Sequence, residues 1–193
     1  TWHMANRRNP SDRRRARLDA ARLDELALAY VARFATSRAK LLRYLSRKVR
    51  ESDWIDAGDA MAACAAVADR MERLRFLDDK HYAAMRAGAM TRRGLGVRRV
   101  KAQLFVDGIS ADDSGEAISE AEEKALASAV GFAKRRRLGP FALRAADDPK
   151  ERERQVAAFA RAGHSLALAR RILAVAPGDE AALAALDGEA ALD

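Results

Sequence analysis

The fold is decided by the stretch Gly96-Val97-Arg98-Arg99-Val100-Lys101-Ala102-Gln103-Leu104, because its pattern occurs three times along the chain. A small residue is followed four places on by an apolar residue and, after four more, by Leu. The other copies are Ser37, Leu41, Leu45 and Ser165, Ala169, Leu173. Positions four apart lie on one helical face, so each copy predicts a short helix with one apolar stripe and basic residues on its other faces. A repeated basic helical unit favours a modular binding protein over an enzyme.

The composition around these stretches predicts an all-α protein. The chain has 193 residues, enough for one domain or two small ones, and 49% of them are apolar but only 6% are aromatic. Much of the apolar fraction is Ala, which favours helices that approach closely through small side chains. No run of alternating β-branched residues predicts a convincing strand.

Helix signals outside the three copies predict about nine helices in three units of three. In the first unit one helix is expected over 19–35, a second begins after a cap at Thr36 or Ser37, and a third covers 57–74. Tyr30, Phe34 and Met61 are expected to face inward. The second unit begins at the cap Leu77-Asp78-Asp79, packs His81 and Tyr82, and ends in one long helix over 113–136. Asp148-Pro149 opens the third unit, since Pro suits the first position of a helix.

These signals predict four segments along the chain. A flexible basic arm covers 1–18, in which Thr1 to His3 precede Met4 and are interpreted as a cloning remnant. Three-helix repeats follow over 19–76, 77–140 and 147–187. Because each unit is too small to bury much surface alone, we expect the repeats to stack as an elongated, curved array.

The charge is distributed unevenly. The formal net charge is +8, and residues 1–50 alone hold 14 Lys or Arg against 4 Asp or Glu, a balance of +10. A basic end of this kind suits nucleic-acid phosphates or an acidic protein partner, although a solvated basic tail explains residues 5–17 equally well.

Three groups of basic residues are candidates for contacting a partner or DNA. They recur on the predicted helices beside apolar stripes, which turns their charges outward; a solvated basic face is the alternative. At the end of the long helix, cations also complement the helix dipole, so a structural role could suffice there. The candidates are Arg43, Arg47, Lys48, Arg92, Arg93, Arg98, Arg99, Lys101, Lys134, Arg135 and Arg136.

Other residues predict no catalytic, metal or cofactor site. His3, His81 and His164 are widely separated and no metal-ligand spacing exists. Gly94-Leu95-Gly96 follows no strand and precedes no Lys-Ser or Lys-Thr, so a helix break is expected there rather than a phosphate loop. The single cysteine, Cys64, excludes an internal disulfide and fits a reducing compartment, while no membrane span is predicted. We therefore expect a cytoplasmic, monomeric protein.

Two longer segments carry a resemblance to the RecX family of regulatory proteins, the modulators of the RecA recombinase. Leu74-Arg75-Phe76-Leu77-Asp78-Asp79-Lys80-His81-Tyr82-Ala83 resembles the family's apolar-Asp-Asp junction, and the stretch from Arg92 to Leu104 is similar to its basic helix start. Shorter matches are Ser37 to Leu45, Asp107-Gly108-Ile109, Asp148-Pro149-Lys150-Glu151-Arg152 and Gly163-His164-Ser165. The resemblance covers roughly residues 20–175, with Leu95 in place of the usual aromatic residue and Val97 in place of the usual Pro.

The resemblance implies a bacterial cytosolic protein that binds the RecA–DNA filament. Such a protein lies along the filament groove and inhibits the recombinase, ATPase and co-protease activities, which modulates DNA repair, homologous recombination and the SOS response. It needs no cofactor and performs no chemistry. The alternative is a non-specific DNA-binding helical protein that acts through its basic N-terminal part, with weak, salt-dependent affinity.

Overall fold

The computed structural model describes residues 15–189, with side chains as far as Leu186, and confirms the all-α prediction. The first 14 residues of the expected basic arm lie outside the described residues. Residues 15–189 form ten α-helices: α1 (Ala20–Arg33), α2 (Arg38–Glu51), α3 (Ala60–Arg73), α4 (Asp79–Arg92), α5 (Val97–Asp107), α6 (Ala111–Glu123), α7 (Ala125–Arg136), α8 (Pro149–Ala162), α9 (Leu166–Ala174) and α10 (Glu180–Glu189). A 3-10 turn at Gly139–Phe141 separates α7 from α8.

The chain divides into two compact units, one ending at Leu77 and the other beginning at Asp78. The first unit contains α1 to α3 and the second contains α4 to α10. The arrangement of the second unit as two stacked three-helix repeats stays a prediction.

The first unit packs its three helices around a core of Leu23, Leu41, Leu45, Cys64 and Met71, all at most 1% exposed. A short parallel pairing, absent from the sequence prediction, closes one side: β1 (Arg17–Leu18) lies beside β2 (Asp53–Trp54). Leu18 is buried there, so the last residues of the expected arm belong to the folded unit.

The second unit contains two apolar clusters. Val100, Leu104 and Tyr82 form part of the cluster shared by α4, α5 and α6. Phe132 and Phe159 form part of the cluster shared by α7, α8 and α9. The division explains why the predicted long helix over 113–136 is wrong: the chain breaks at Lys124, so that α6 packs on the first cluster and α7 on the second.

The three pattern copies each begin a helix as predicted. Ser37 caps α2 through its side chain, which accepts a hydrogen bond from the Lys40 amide at 3.2 Å, and Ser165 caps α9 in the same way. Gly96 caps α5 with its backbone alone. The apolar positions that follow are buried in all three helices, except that Leu173 is only partly buried.

Several side chains predicted to pack are exposed instead. Phe34 and Met61 are 48% and 42% exposed, and His81 is exposed while its neighbour Tyr82 is buried. All three lie at helix ends: Phe34 follows the last residue of α1, and Met61 and His81 belong to the first turns of α3 and α4.

Candidate partner interface

The loop between α4 and α5 is joined to the turn between α8 and α9 by glycine–glycine packing. The Gly96 amide donates a hydrogen bond to the Ala162 carbonyl at 2.9 Å, and the Arg98 amide donates one to the Gly163 carbonyl at 3.1 Å. A Cβ at Gly163 would lie 2.5 Å from the Arg99 nitrogen, and one at Gly96 would overlap the Gly163 backbone. Only glycine allows this approach. The stretch from Arg92 to Leu104 and the stretch Gly163-His164-Ser165, separate in the sequence, therefore meet in the structure through their glycines.

This packing brings opposite helix ends together. The carbonyls at the end of α8 accept from amides at the start of α5, so the negative end of one helix dipole meets the positive end of the other. Arg98 and Arg99 would be unfavourable at an isolated helix start, and the α8 carboxyl end offsets that cost. The fold can therefore hold two exposed arginines at this point.

Two buried side chains hold the loop itself. His164 is 2% exposed, and its Nε2 lies 3.0 Å from the Gly94 carbonyl, an acceptor, which assigns the proton to Nε2. Burial lowers the pKa of His164, while the bond to Gly94 opposes that change. The Ser128 hydroxyl lies 3.2 Å from the Thr91 carbonyl and 3.0 Å from the Leu95 carbonyl.

Arginines from three helices surround this loop. Arg92 and Arg93 lie at the end of α4, Arg98 and Arg99 at the start of α5, and the Arg135 guanidinium of α7 packs directly over Gly94. We call Arg92, Arg93, Arg98, Arg99 and Arg135 the basic cluster. The structure thus brings together candidates that are up to 43 positions apart in the sequence.

Ion pairs divide the candidates into two groups. Among the residues that the structure describes, no carboxylate pairs with any member of the basic cluster or with Lys134 or Arg136. Lys101 pairs with Glu122 at 2.7 Å, and Arg47 and Lys48 approach Glu51 at 3.8 Å and 3.4 Å. Arg43 is exposed on α2. The basic cluster therefore places five arginines without a carboxylate partner in the described residues around one loop.

Sequence reasoning missed an aromatic group in the first unit. Tyr30 and Tyr44 stack with ring centroids 4.3 Å apart, and Phe34 lies 5.2 Å from Tyr30. Arg47 and Lys48 lie over the Tyr44 ring at 5.7 Å and 5.8 Å. The four-residue spacing of Tyr30 and Phe34 is the available signal, but that spacing predicts packing in the core and not an exposed group.

The described residues contain no group of His, Cys, Asp or Glu side chains that could hold a metal ion. Within the same range, no helix combines the length and the apolar character that crossing a membrane requires.

Comparisons with known proteins agree with the resemblance. No family model matches the chain. It is 29% identical over 156 residues to the regulatory protein RecX of Myxococcus xanthus, and the aligned region covers 78% of this chain and 83% of that protein. It is also 29% identical over 102 residues to the regulatory protein RecX of Agrobacterium fabrum, covering 53% of this chain and 54% of the relative.

A solved structure shares the fold. The crystal structure of a regulatory protein RecX superposes with a TM-score of 0.58 at 16% identity, covering 79% of this chain and 70% of the other. The two curated relatives support the RecX family, and this neighbour supports the fold.

Proposed function

We propose that this chain, a RecX-type regulator by its curated relatives and its structural neighbour, binds the filament that the RecA recombinase forms on DNA. The binding would inhibit the recombinase, ATPase and co-protease activities, and so modulate DNA repair and the SOS response in the cytoplasm. The observation that carries the proposal is the basic cluster, five arginines held around one buttressed loop without carboxylates to neutralise them.

The fixed loop is what makes the basic cluster suitable for a repeating acidic or phosphate surface. His164, Ser128 and the Gly96–Gly163 packing hold the loop that carries or borders four of these arginines, and the fifth, Arg135, packs over the same loop from α7. A preorganised backbone lowers the ordering cost of binding, while the exposed guanidinium groups give a long-range attraction to anions. We propose that the protein acts by occupying the filament rather than by chemistry, as a monomer and without a cofactor.

The experiment is the ATPase activity of the recombinase on single-stranded DNA, with this protein titrated from substoichiometric amounts. The test variant is Arg98→Glu with Arg99→Glu, which reverses two charges of the basic cluster. The matched control is Arg73→Glu with Arg154→Glu, which makes the same net-charge change at exposed arginines without an ion pair in the described residues.

We expect the test variant to need about tenfold more protein for half-inhibition, since two exposed ionic contacts contribute roughly 1 to 2 kcal/mol. The control should inhibit like the unmodified chain. Equal inhibition by both variants contradicts the assignment of the basic cluster. Inhibition that begins only when the protein coats the DNA contradicts filament binding.

A second candidate function is direct binding of single-stranded nucleic acid, favoured by the aromatic group of the first unit. Phe34 is 48% exposed, and the Arg33 guanidinium lies 5.4 Å from its ring centroid, so an unpaired base can stack there beside a cation that neutralises a phosphate. Phe34→Ala should then weaken binding to bare single-stranded DNA, measured by fluorescence anisotropy at two salt concentrations. Unchanged affinity would exclude this group as a base-stacking site.

A further inference from the structure

A groove of about 860 Å³ lies in the second unit, apart from the basic cluster. Its walls are α8, α9 and the loop that follows the 3-10 turn, and it is partly open to solvent. The volume falls within the range of ligand-binding clefts, roughly 300 to 1,000 Å³.

Apolar residues make up most of the lining of the groove, and we call them its floor. Val156 and Ala157 line it from α8, and Leu166 and Leu173 line it from α9. The alanines of both helices leave space where larger side chains would fill the groove. An apolar side chain of a ligand would therefore be removed from water here, which is the main favourable term in binding.

Three exposed arginines on three elements also line the groove, and we call these charged lining residues its rim. Arg144 lies on the loop, Arg152 on α8 and Arg170 on α9, against one lining carboxylate, Glu153. Arg144 approaches Glu151 at 3.4 Å, and the Arg152 guanidinium donates to the Asp147 carbonyl at 3.3 Å. Arg170 has no hydrogen bond or ion pair with any residue that the structure describes. The rim thus has a net positive charge and one unengaged guanidinium.

We propose that this groove binds an acidic peptide segment of another protein, with one bulky apolar side chain on the floor and carboxylates against the arginines. Charge complementarity favours this occupant, because cations on separate elements match carboxylates spread along a chain. An open-sided groove also accommodates a continuing backbone, whereas a small ligand would stay half-solvated. This inference does not depend on the proposed function, and its test contains neither recombinase nor DNA.

The test measures binding of a fluorescein-labelled peptide, Asp-Glu-Leu-Asp-Phe-Glu-Asp, by fluorescence anisotropy with the full chain. Arg170→Glu reverses the unengaged rim charge, and Ala160→Trp obstructs the groove from an exposed position on α8. The matched control is Arg154→Glu, an exposed α8 arginine that does not line the groove. Circular dichroism of every variant checks that the helical content is unchanged.

We expect saturable binding that Arg170→Glu weakens about three- to tenfold, the effect of reversing one exposed charge. Ala160→Trp should abolish binding, and Arg154→Glu should leave it nearly unchanged. A peptide in which Lys replaces every acidic residue should not bind.

Four results would overturn the proposal. The first is absence of saturable binding by the unmodified chain. The second is equal weakening by Arg170→Glu and Arg154→Glu, which would indicate general attraction to a chain of net charge +8. The third is dodecanoate binding at one site that Ala160→Trp removes while the peptide does not bind, which would assign the groove to a small amphipathic acid. The fourth is self-association in sedimentation that the same substitution removes.

Discussion

Replacing Gly96 with alanine should strongly destabilise the second unit. The new methyl group would overlap the Gly163 backbone, so the loop and the turn must separate. Separation breaks two backbone hydrogen bonds, of 2.9 Å and 3.1 Å, and the 3.0 Å bond between His164 and the Gly94 carbonyl. Each lost bond costs about 1 kcal/mol, except that the loss at the buried His164 ring, left without an acceptor, reaches up to about 3 kcal/mol. We expect the free energy of unfolding to fall by about 3 to 5 kcal/mol.

Urea unfolding followed by circular dichroism measures this loss, and Gly115→Ala is the matched control. Gly115 lies within α6, and a Cβ there meets nothing within 4 Å. Alanine is the better helix former, so the control should raise the free energy of unfolding by up to about 1 kcal/mol. If the free energy of unfolding of Gly96→Ala lies within about 1 kcal/mol of that of the unmodified chain, the close contact between the two glycines is contradicted.

Three further predictions concern buried groups. Burial lowers the pKa of His164, so the unfolded chain binds the proton more readily than the folded chain does. The free energy of unfolding should therefore fall as the pH drops below about 6.5, the usual pKa of histidine. His164→Gln should flatten that pH dependence in urea unfolding at pH 5 to 8. An equally steep fall in the free energy of unfolding toward acid pH for His164→Gln would contradict this prediction. Burial, with a smaller effect of the Asp59 charge, raises the pKa of the Cys64 thiol. Its reaction with a disulfide reagent at pH 8 should therefore be slow and should accelerate in urea. Rapid reaction of the folded chain would place the thiol at the surface. The Tyr82 hydroxyl donates to the buried Asp107 carboxylate at 2.9 Å, so Tyr82→Phe should cost about 1 to 3 kcal/mol in urea unfolding, whereas an unchanged midpoint would show the bond to be dispensable.

Local signals in the sequence predicted the helices well. Ser37, Asp78 and Asp148 cap helices as expected, and Gly108 ends α5 in the left-handed conformation. Such signals succeed because a cap depends on a few neighbouring residues. The break at Lys124 was missed since it depends on which apolar cluster each half of the helix contacts.

The candidate interface was predictable only in part. Arg98 and Arg99 stood out in the sequence, but their proximity to Gly163 arises from packing between residues more than 60 positions apart. Whether a lysine or arginine is neutralised also depends on distant elements, as the Lys101–Glu122 ion pair shows. The groove between α8 and α9 left no sequence signal, because it depends on the space between elements.

The join between Gly96 and Gly163 has a consequence for how this protein can be divided. A fragment cut between α7 and α8 would leave the Gly96 and Arg98 amides and the Gly94 carbonyl without the acceptors and the ring nitrogen that satisfy them. The mostly exposed loop 142–148 resembles a linker, yet the helices on its two sides complete each other's hydrogen bonding. The region from Asp78 onward should therefore be expressed, labelled and studied as one cooperative piece.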